Sequence, residues 1–301
     1  MLSKWKMMAD PEKNKRGGEE NLLFSLSRTP ALAGILNLTE DSFSDGGKYF
    51  HLRDALSRGE KLLREGAFLL DVGAESTRPG AREIPAEKEL EKIRPFLCAF
   101  REKFPRAVIS IDTRKSVVAE ETLKLGADMI NDVSGLRFDP AMGEVIAKYR
   151  CFVILMHSRG LPENMQNKEN LDYGEEFFST FCNEVEEMVE NALSYGIRRE
   201  RIILDPGLGF AKTPEQNWEL IRNCPLLRKR FQLPLFYGCS RKSFLGFPMG
   251  KTLPMEERES VNLAILGFLA DGGASFCRVH DVKSAMNYLA AHFCLREGKS
   301  E

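Results

Sequence analysis

The chain has 301 residues, 43% hydrophobic and 29% charged, and its 43 basic and 44 acidic side chains leave a net charge of −1. That balance excludes collagenous and wholly disordered chains, and it supplies no global field toward nucleic acid or an anionic membrane. The longest apolar runs, 151–156 and 264–270, fall short of the ~20 residues that a membrane-spanning helix needs.

Residues 1–30 are polar, mixed in charge and punctuated by Gly17 and Gly18, and they read as a flexible tail or a linker from an upstream domain. They contain no apolar signal core, and Asp10, Glu12, Glu19 and Glu20 argue against an acid-poor transit peptide. Seven cysteines with no C-x-x-C pair suggest neither a zinc site nor a disulfide framework. A reducing, cytoplasmic setting is the expectation. Residues 298–301 read as a disordered C-terminus.

From residue 31 the chain alternates. Short apolar runs at 31–36, 68–70, 108–111, 128–130, 151–155, 202–204, 234–237 and 274–277 read as buried strands. Segments of helical period separate them. Over 174–195, Phe177, Phe181, Val185, Met188 and Ala192 share one face, and Leu52, Ala55, Leu56, Leu62 and Leu63 mark an earlier helix. Gly66, Gly126, Gly196 and Gly273 each stand between a helical segment and the next strand, where a left-handed cap is wanted. Fully apolar strands joined through helices imply a parallel sheet covered by helices. Repetition of that unit across 31–297 predicts an α/β fold, a (β/α)8 TIM barrel in a single domain. No strand runs directly into G-x-G-x-x-G, so a dinucleotide-binding fold lacks its mark.

The chemistry gathers at the C-terminal ends of these runs. They lead into Asn37, Asp71, Asp112, Asn131, His157, Asp205, Ser240 and the pair Arg278 and His280. Any one Asp or Asn there could simply cap the next helix. Polar residues after every run instead predict one cluster at the rim where barrel active sites are built. The segments 37–47 and 71–81 are long and rich in Gly, Ser, Thr and Asp, and they read as mobile covers over that rim.

Asp205 suits a planar N–H/NH2 edge, because a carboxylate accepts two parallel hydrogen bonds. Asn131 offers a donor and an acceptor. Lys242 fits either donation to a carbonyl oxygen or, with a lowered pKa, Schiff-base chemistry. Arg278 and His280, two apart in an extended segment, share a face and form a candidate anion site beside Ser240 and Arg241.

The motifs GILNLTEDSFSDGG (34–47), DVGAESTRPGA (71–81), SIDTRKS (110–116), INDVSG (130–135), LDPGLGF (204–210), GCSRKS (238–243) and RVHD (278–281) together resemble the dihydropteroate synthase family. The resemblance runs from about residue 32 to the early 290s. It implies condensation of a (7,8-dihydropterin-6-yl)methyl diphosphate with 4-aminobenzoate, releasing diphosphate, by an SN1-like path assisted by Mg2+. By that resemblance Asp112, Asn131, Asp205 and Lys242 hold the pterin. Asn37 binds Mg2+ on the diphosphate, whose oxygens Arg278 and His280 hold. Thr77, Arg78, Pro79, Ser240 and Lys242 line an aminobenzoate pocket open to sulfonamides. It also implies a homodimer and allows an upstream fused folate-pathway domain, with no nucleic-acid or membrane partner. The catalytic set expected is Asn37, Asp112, Lys242, Arg278 and His280.

Glu40, where the family usually has Pro, Leu208, and the run from His157 to Gly160 depart from the family pattern. Three rival readings are a methyltetrahydrofolate-dependent methyltransferase, a Schiff-base aldolase using Lys242, and a non-catalytic pterin-binding module. The long loops and the Arg278/His280 pair weigh against the first, because methyl transfer releases no diphosphate.

Overall fold

A computed structural model describes residues 29–38, 48–78, 80–160 and 162–297. The proposed tail, apart from Thr29 and Pro30, most of the first loop (39–47, with Glu40), Pro79 and residues 298–301 lie outside the described residues.

Eight strands form one sheet: β1 (Ala31–Asn37), β2 (Leu69–Gly73), β3 (Val108–Asp112), β4 (Met129–Asp132), β5 (Phe152–Met156), β6 (Ile202–Asp205), β7 (Phe236–Tyr237) and β8 (Phe276–Val279). All neighbours are parallel in the order β6-β5-β4-β3-β2-β1-β8-β7. A parallel bridge between Leu204 and Leu235, with Leu204 N donating to Pro234 O at 2.9 Å, joins the two ends. The sheet is therefore a closed barrel, which leaves no unpaired edge.

Helices α1 (Lys48–Arg64), α2 (Ala86–Lys103), α3 (Ser116–Lys124), α4 (Met142–Tyr149), α5 (Lys168–Leu171), α6 (Phe177–Ser194), α7 (Pro214–Arg222), α8 (Cys224–Phe231), α9 (Met255–Asp271) and α10 (Val282–Glu297) follow the strands. The amphipathic face read over 174–195 is real: Phe181, Val185, Met188 and Ala192 are buried in α6. The four glycines before strands all take positive φ. Two details differ from the sequence expectation. The strands run past their apolar runs into polar residues, because the backbone ladder continues wherever the side chain can be satisfied inside the barrel. The β5–β6 and β6–β7 connections each carry two helices instead of one, and in the second Pro225 opens the new helix at its first turn.

Side chains alternate along each strand. Ala31, Ala33, Leu69, Val108, Met129, Phe152, Ile154, Ile203, Phe236 and Phe276 fill the barrel interior as their own cluster, while Leu32, Leu70, Ile109, Ile130, Val153 and Leu204 face the helices in the larger one. The Phe276 ring lies 6.2 Å from Phe68 and 6.0 Å from Phe236, closing the lower barrel. Continuing the interior parity upward along the strands reaches Asn37, Asp71, Asp112, Asn131, Asp205 and Arg278. The register that pairs Gly73 with Asp112, and Asp112 with Asn131, sets these groups side by side.

Candidate active site

Above the aromatic layer the barrel changes from hydrocarbon to a buried polar cup. Asp71, fully buried, accepts from Arg278 Nε at 2.5 Å and from Asn131 Nδ2 at 3.1 Å on the same oxygen. Arg278 Nη2 donates to Asp112 at 3.0 Å. Asp205 Oδ1 accepts from Gly207 N at 2.7 Å, fixing the carboxylate at the top of β6.

Three acceptor oxygens of this cup, Asp71 Oδ1, Asp112 Oδ1 and Asn131 Oδ1, are buried without a hydrogen-bond partner. Buried polar atoms are ordinarily paired. A ring of unpaired acceptors is the complement of a flat, donor-rich ligand edge.

The charges are tuned by the same burial. Burial raises the Asp112 carboxyl, the neighbouring Asp71 raises it further, and Arg278 offsets only part of this. Asp205 is raised by burial, against the pull of Lys242. Lys242 is lowered to about 8, burial outweighing the attraction of Asp205. Its ammonium donates to Leu208 O and lies 4.7 Å over the Phe210 ring. Lysine and carboxylate thus face one space from β6 and from the segment after β7.

A second corner gathers cations. His280 Nδ1 lies 2.9 Å from Ser240 Oγ, His280 N donates to the same hydroxyl at 3.3 Å, and Arg58 donates to His280 O at 2.6 Å. Burial, then Arg241, Arg278, Arg78 and Arg58, lower the imidazole to about 3. His280 is therefore a neutral donor or acceptor here, and the positive charge at this corner comes from arginine. Two of Arg278's donors are committed to the carboxylates, so Arg278 bridges cup and anion corner. Ser240, expected near an aminobenzoate, sits against His280.

Asn37 closes β1 beside Gly73, half-buried. Thr77 is half-buried and Arg78 exposed on the second loop. That loop has a fixed stem: Glu75 accepts from Lys115 at 2.6 Å and Arg114 at 3.1 Å, and Lys115 also donates to buried Glu89 at 3.0 Å. Its far side touches the segment after β5, where Gly80 N donates to Pro162 O at 2.9 Å.

The structure thus brings together Asp112, Asn131, Asp205, Lys242 and Arg278, with Ser240 and His280 adjoining. Asp71, expected in the rim cluster after the second apolar run but given no ligand role by the resemblance, links Arg278 to Asn131. His157 also follows an apolar run, but its ring meets Lys212 and Glu184 behind the β6 loop, and those two carry no comparable sequence signal.

A barrel whose buried polar rim offers unpaired acceptors, a lysine and an arginine-rich corner is the frame of a small-molecule enzyme for a flat, anion-bearing substrate. The family described as pterin binding enzyme matches residues 33–280. Over 268 residues the chain is 42% identical to the dihydropteroate synthase of a Synechocystis strain, covering 87% of this chain and 89% of that protein. The Yersinia pestis dihydropteroate synthase in complex with a sulfonamide drug superposes with a TM-score of 0.81 at 37% identity, covering 91% of this chain and 96% of that one. The Xanthomonas albilineans enzyme with 4-aminobenzoic acid gives 0.81 at 34% identity, covering 90% and 94%. This chain belongs to the dihydropteroate synthase family of pterin binding enzymes, transferases of folate biosynthesis.

Proposed function

We propose that this chain joins (7,8-dihydropterin-6-yl)methyl diphosphate to 4-aminobenzoate, forming 7,8-dihydropteroate and diphosphate. The observation that carries the reading is the ring of buried, unpaired acceptors on Asp71, Asp112 and Asn131. The second amino hydrogen and the N8–H of a dihydropterin supply donors that such a ring lacks. Asp205 takes the amino group and adjoining ring N–H, and Lys242 donates to the ring carbonyl, which pins the flat ring in one orientation.

The methylene C–O bond to diphosphate breaks, and the arylamine nitrogen forms the new bond to the same carbon and releases a proton to solvent. Arg278 and His280 hold the leaving oxygens. The electron-rich ring delocalises the positive charge left on the methylene, giving the path its SN1-like character. Water must be kept away until the arylamine attacks, which is the task of the loops after β1 and β2, with Thr77, Arg78 and Pro79 beside the arylamine.

Asn37 supplies one hard amide oxygen at the rim, which suits Mg2+, an ion that takes few protein ligands and keeps waters and substrate phosphates. Bound there, Mg2+ would neutralise charge on the departing diphosphate. Among the described residues no group of three or more His, Cys, Asp or Glu could hold a metal ion. The fit therefore rests on Asn37 together with the diphosphate.

A homodimer and a cytoplasmic setting complete the proposal. The seven cysteines are free, and no helix among the described residues is long and apolar enough to cross a membrane. The test is product identity: with both substrates and Mg2+, mass spectrometry should find dihydropteroate, and a sulfonamide should lower its yield in competition with 4-aminobenzoate. Methyl transfer from methyltetrahydrofolate in place of dihydropteroate would establish the rival reading.

A further inference from the structure

Behind the loop that follows β6 lies a lysine almost sealed from solvent. Lys212 is 3% exposed, and its ammonium donates to three backbone oxygens: His157 O at 3.1 Å, Gly207 O at 3.2 Å and Phe210 O at 3.0 Å. It also lies 3.1 Å from His157 Nδ1 and 5.7 Å from the centre of the Phe181 ring. A buried ammonium persists only when its donors are paired, and here the partners come from two different loops.

The arrangement extends outward as a chain. His157, 1% exposed, meets Glu184 Oε2 through Nε2 at 2.8 Å. With a carboxylate on Nε2, that nitrogen carries the ring proton, and Nδ1 is left as the acceptor that faces Lys212. Glu184 is also held by Arg159, whose guanidinium lies 3.7 Å over the Tyr173 ring. Tyr173 in turn donates to Ala211 O at 3.0 Å. Burial, with Lys242 and Arg137, pushes Lys212 well below the usual lysine range, against the pull of Asp205 and Glu184, so its N–H donors rather than a fixed charge hold the loops.

The clamped loop is the one that builds the pterin end of the cup. Gly207 N fixes Asp205, and Leu208 O accepts from Lys242. Gly207 takes φ +69°, and a Cβ on it would lie 1.9 Å from His157 O, so the two loops are in close backbone contact at the point Lys212 joins them. Asn217 secures the far side by accepting from Gly209 N at 2.6 Å.

Building on the synthase reading, we infer that Lys212 is a positioning residue: an internal hydrogen-bond donor that locks the β6 loop to the end of β5 and so sets Asp205 and Leu208 O for the pterin. It touches no reacting atom. Its effect falls mainly on the pterin half of the site, since the arylamine half rests chiefly on the second loop and its Glu75 stem and shares only Lys242 with the clamped loop.

The test uses the full chain and a dihydropterin that carries a 6-hydroxymethyl group in place of the diphosphate ester, with affinity read by calorimetry. Lys212→Met keeps the stem and removes the donors. Its pterin Kd should rise about 30-fold, while the KM for 4-aminobenzoate at saturating pterin substrate stays within about 3-fold of wild type. Glu184→Gln, at a half-buried position, perturbs the same chain through the His157 tautomer and should weaken pterin binding in the same direction. The double variant should lose less than the product of the two single losses.

A folded Lys212→Met protein with unchanged pterin affinity, or with equal losses for both substrates, overturns the inference. If Lys212→Met does not fold, unchanged affinity in Glu184→Gln overturns it. Wild-type protein that binds no pterin overturns the synthase reading itself, a different result from an indifferent Lys212 variant.

Discussion

Asp205 shows how one side chain is prepared for recognition. Its carboxylate is buried, held by Gly207 N at 2.7 Å, and faces the Lys242 ammonium. Asp205→Asn keeps the shape but swaps one acceptor for a donor against an edge that itself donates. Pterin affinity should fall by about 1.5–3 kcal/mol, the worth of hydrogen bonds to a charged group, with the 4-aminobenzoate KM little changed. Calorimetric titration with the hydroxymethyl dihydropterin checks this.

Asp112 is raised to about 8 and Lys242 is lowered to about 8. Losing its proton makes Asp112 the acceptor that the cup uses, which can only add an acidic limb, so an alkaline limb belongs to Lys242. With a pKa of about 8 it is a cation below that pH and a neutral amine above it. If it must donate to the pterin carbonyl as a cation, kcat/KM falls as pH rises through about 8. Lys242→Arg should lower activity and move that alkaline limb upward, because a guanidinium stays charged. His280, at about 3, should give no limb near neutrality. Retention of the limb near 8 in Lys242→Arg would assign it elsewhere.

At the scale of elements, the loops after β5 and β6 form one unit through His157, Glu184 and Lys212. His157 is lowered to about 3 by burial and by Lys212, against Glu184. Its unfolded value is ~6.5, so its contribution to stability is complete above that pH and is lost as pH falls toward the folded value. The raised Asp112 contributes with the opposite sign, so total stability mixes the two. The difference between wild type and His157→Gln isolates the histidine. That difference, from urea unfolding, should shrink by up to about 1.4 kcal/mol per pH unit below ~6.5. A difference that stays flat from pH 7 to ~4 would rule out a buried neutral imidazole at this position.

Most elements were legible in the sequence because hydrophobic period and polar punctuation agree there. The runs near 31, 108 and 151 became β1, β3 and β5, and the striped segment near 177 became α6. Where the strands end was less legible. Asp71 and Asp112 are polar yet lie within β2 and β3, since a ladder position is set by backbone pairing while side-chain polarity reports only what fills the barrel above. The tandem α7 and α8 had a local signal in Pro225, but a proline alone does not tell a helix break from a helix start.

At the scale of the whole molecule, one closed sheet does two jobs. Its lower interior is hydrocarbon and aromatic, and its upper interior is the polar cup, so the stability of one half supports strain and unpaired acceptors in the other. Phe276, fully buried between Phe68 and Phe236, is the test of that lower layer. Phe276→Ala should cost about 3–5 kcal/mol, read from the urea midpoint. The cup residues Asp112, Asn131, Asp205 and Lys242 were legible because each follows an apolar run or sits in a loop motif. Asp71's bonds to Arg278 and Asn131, and Lys212's place behind the cup, depend on register and on which loops meet across the rim, and a linear pattern does not contain that information.

Cup and anion corner must act in one reaction if the chain is a synthase. The most direct measurement is diphosphate release from (7,8-dihydropterin-6-yl)methyl diphosphate with Mg2+, with and without 4-aminobenzoate. Release that requires the arylamine and matches dihydropteroate formed, mole for mole, is the predicted result. Tight binding of the pterin substrate with no release under either condition would contradict it.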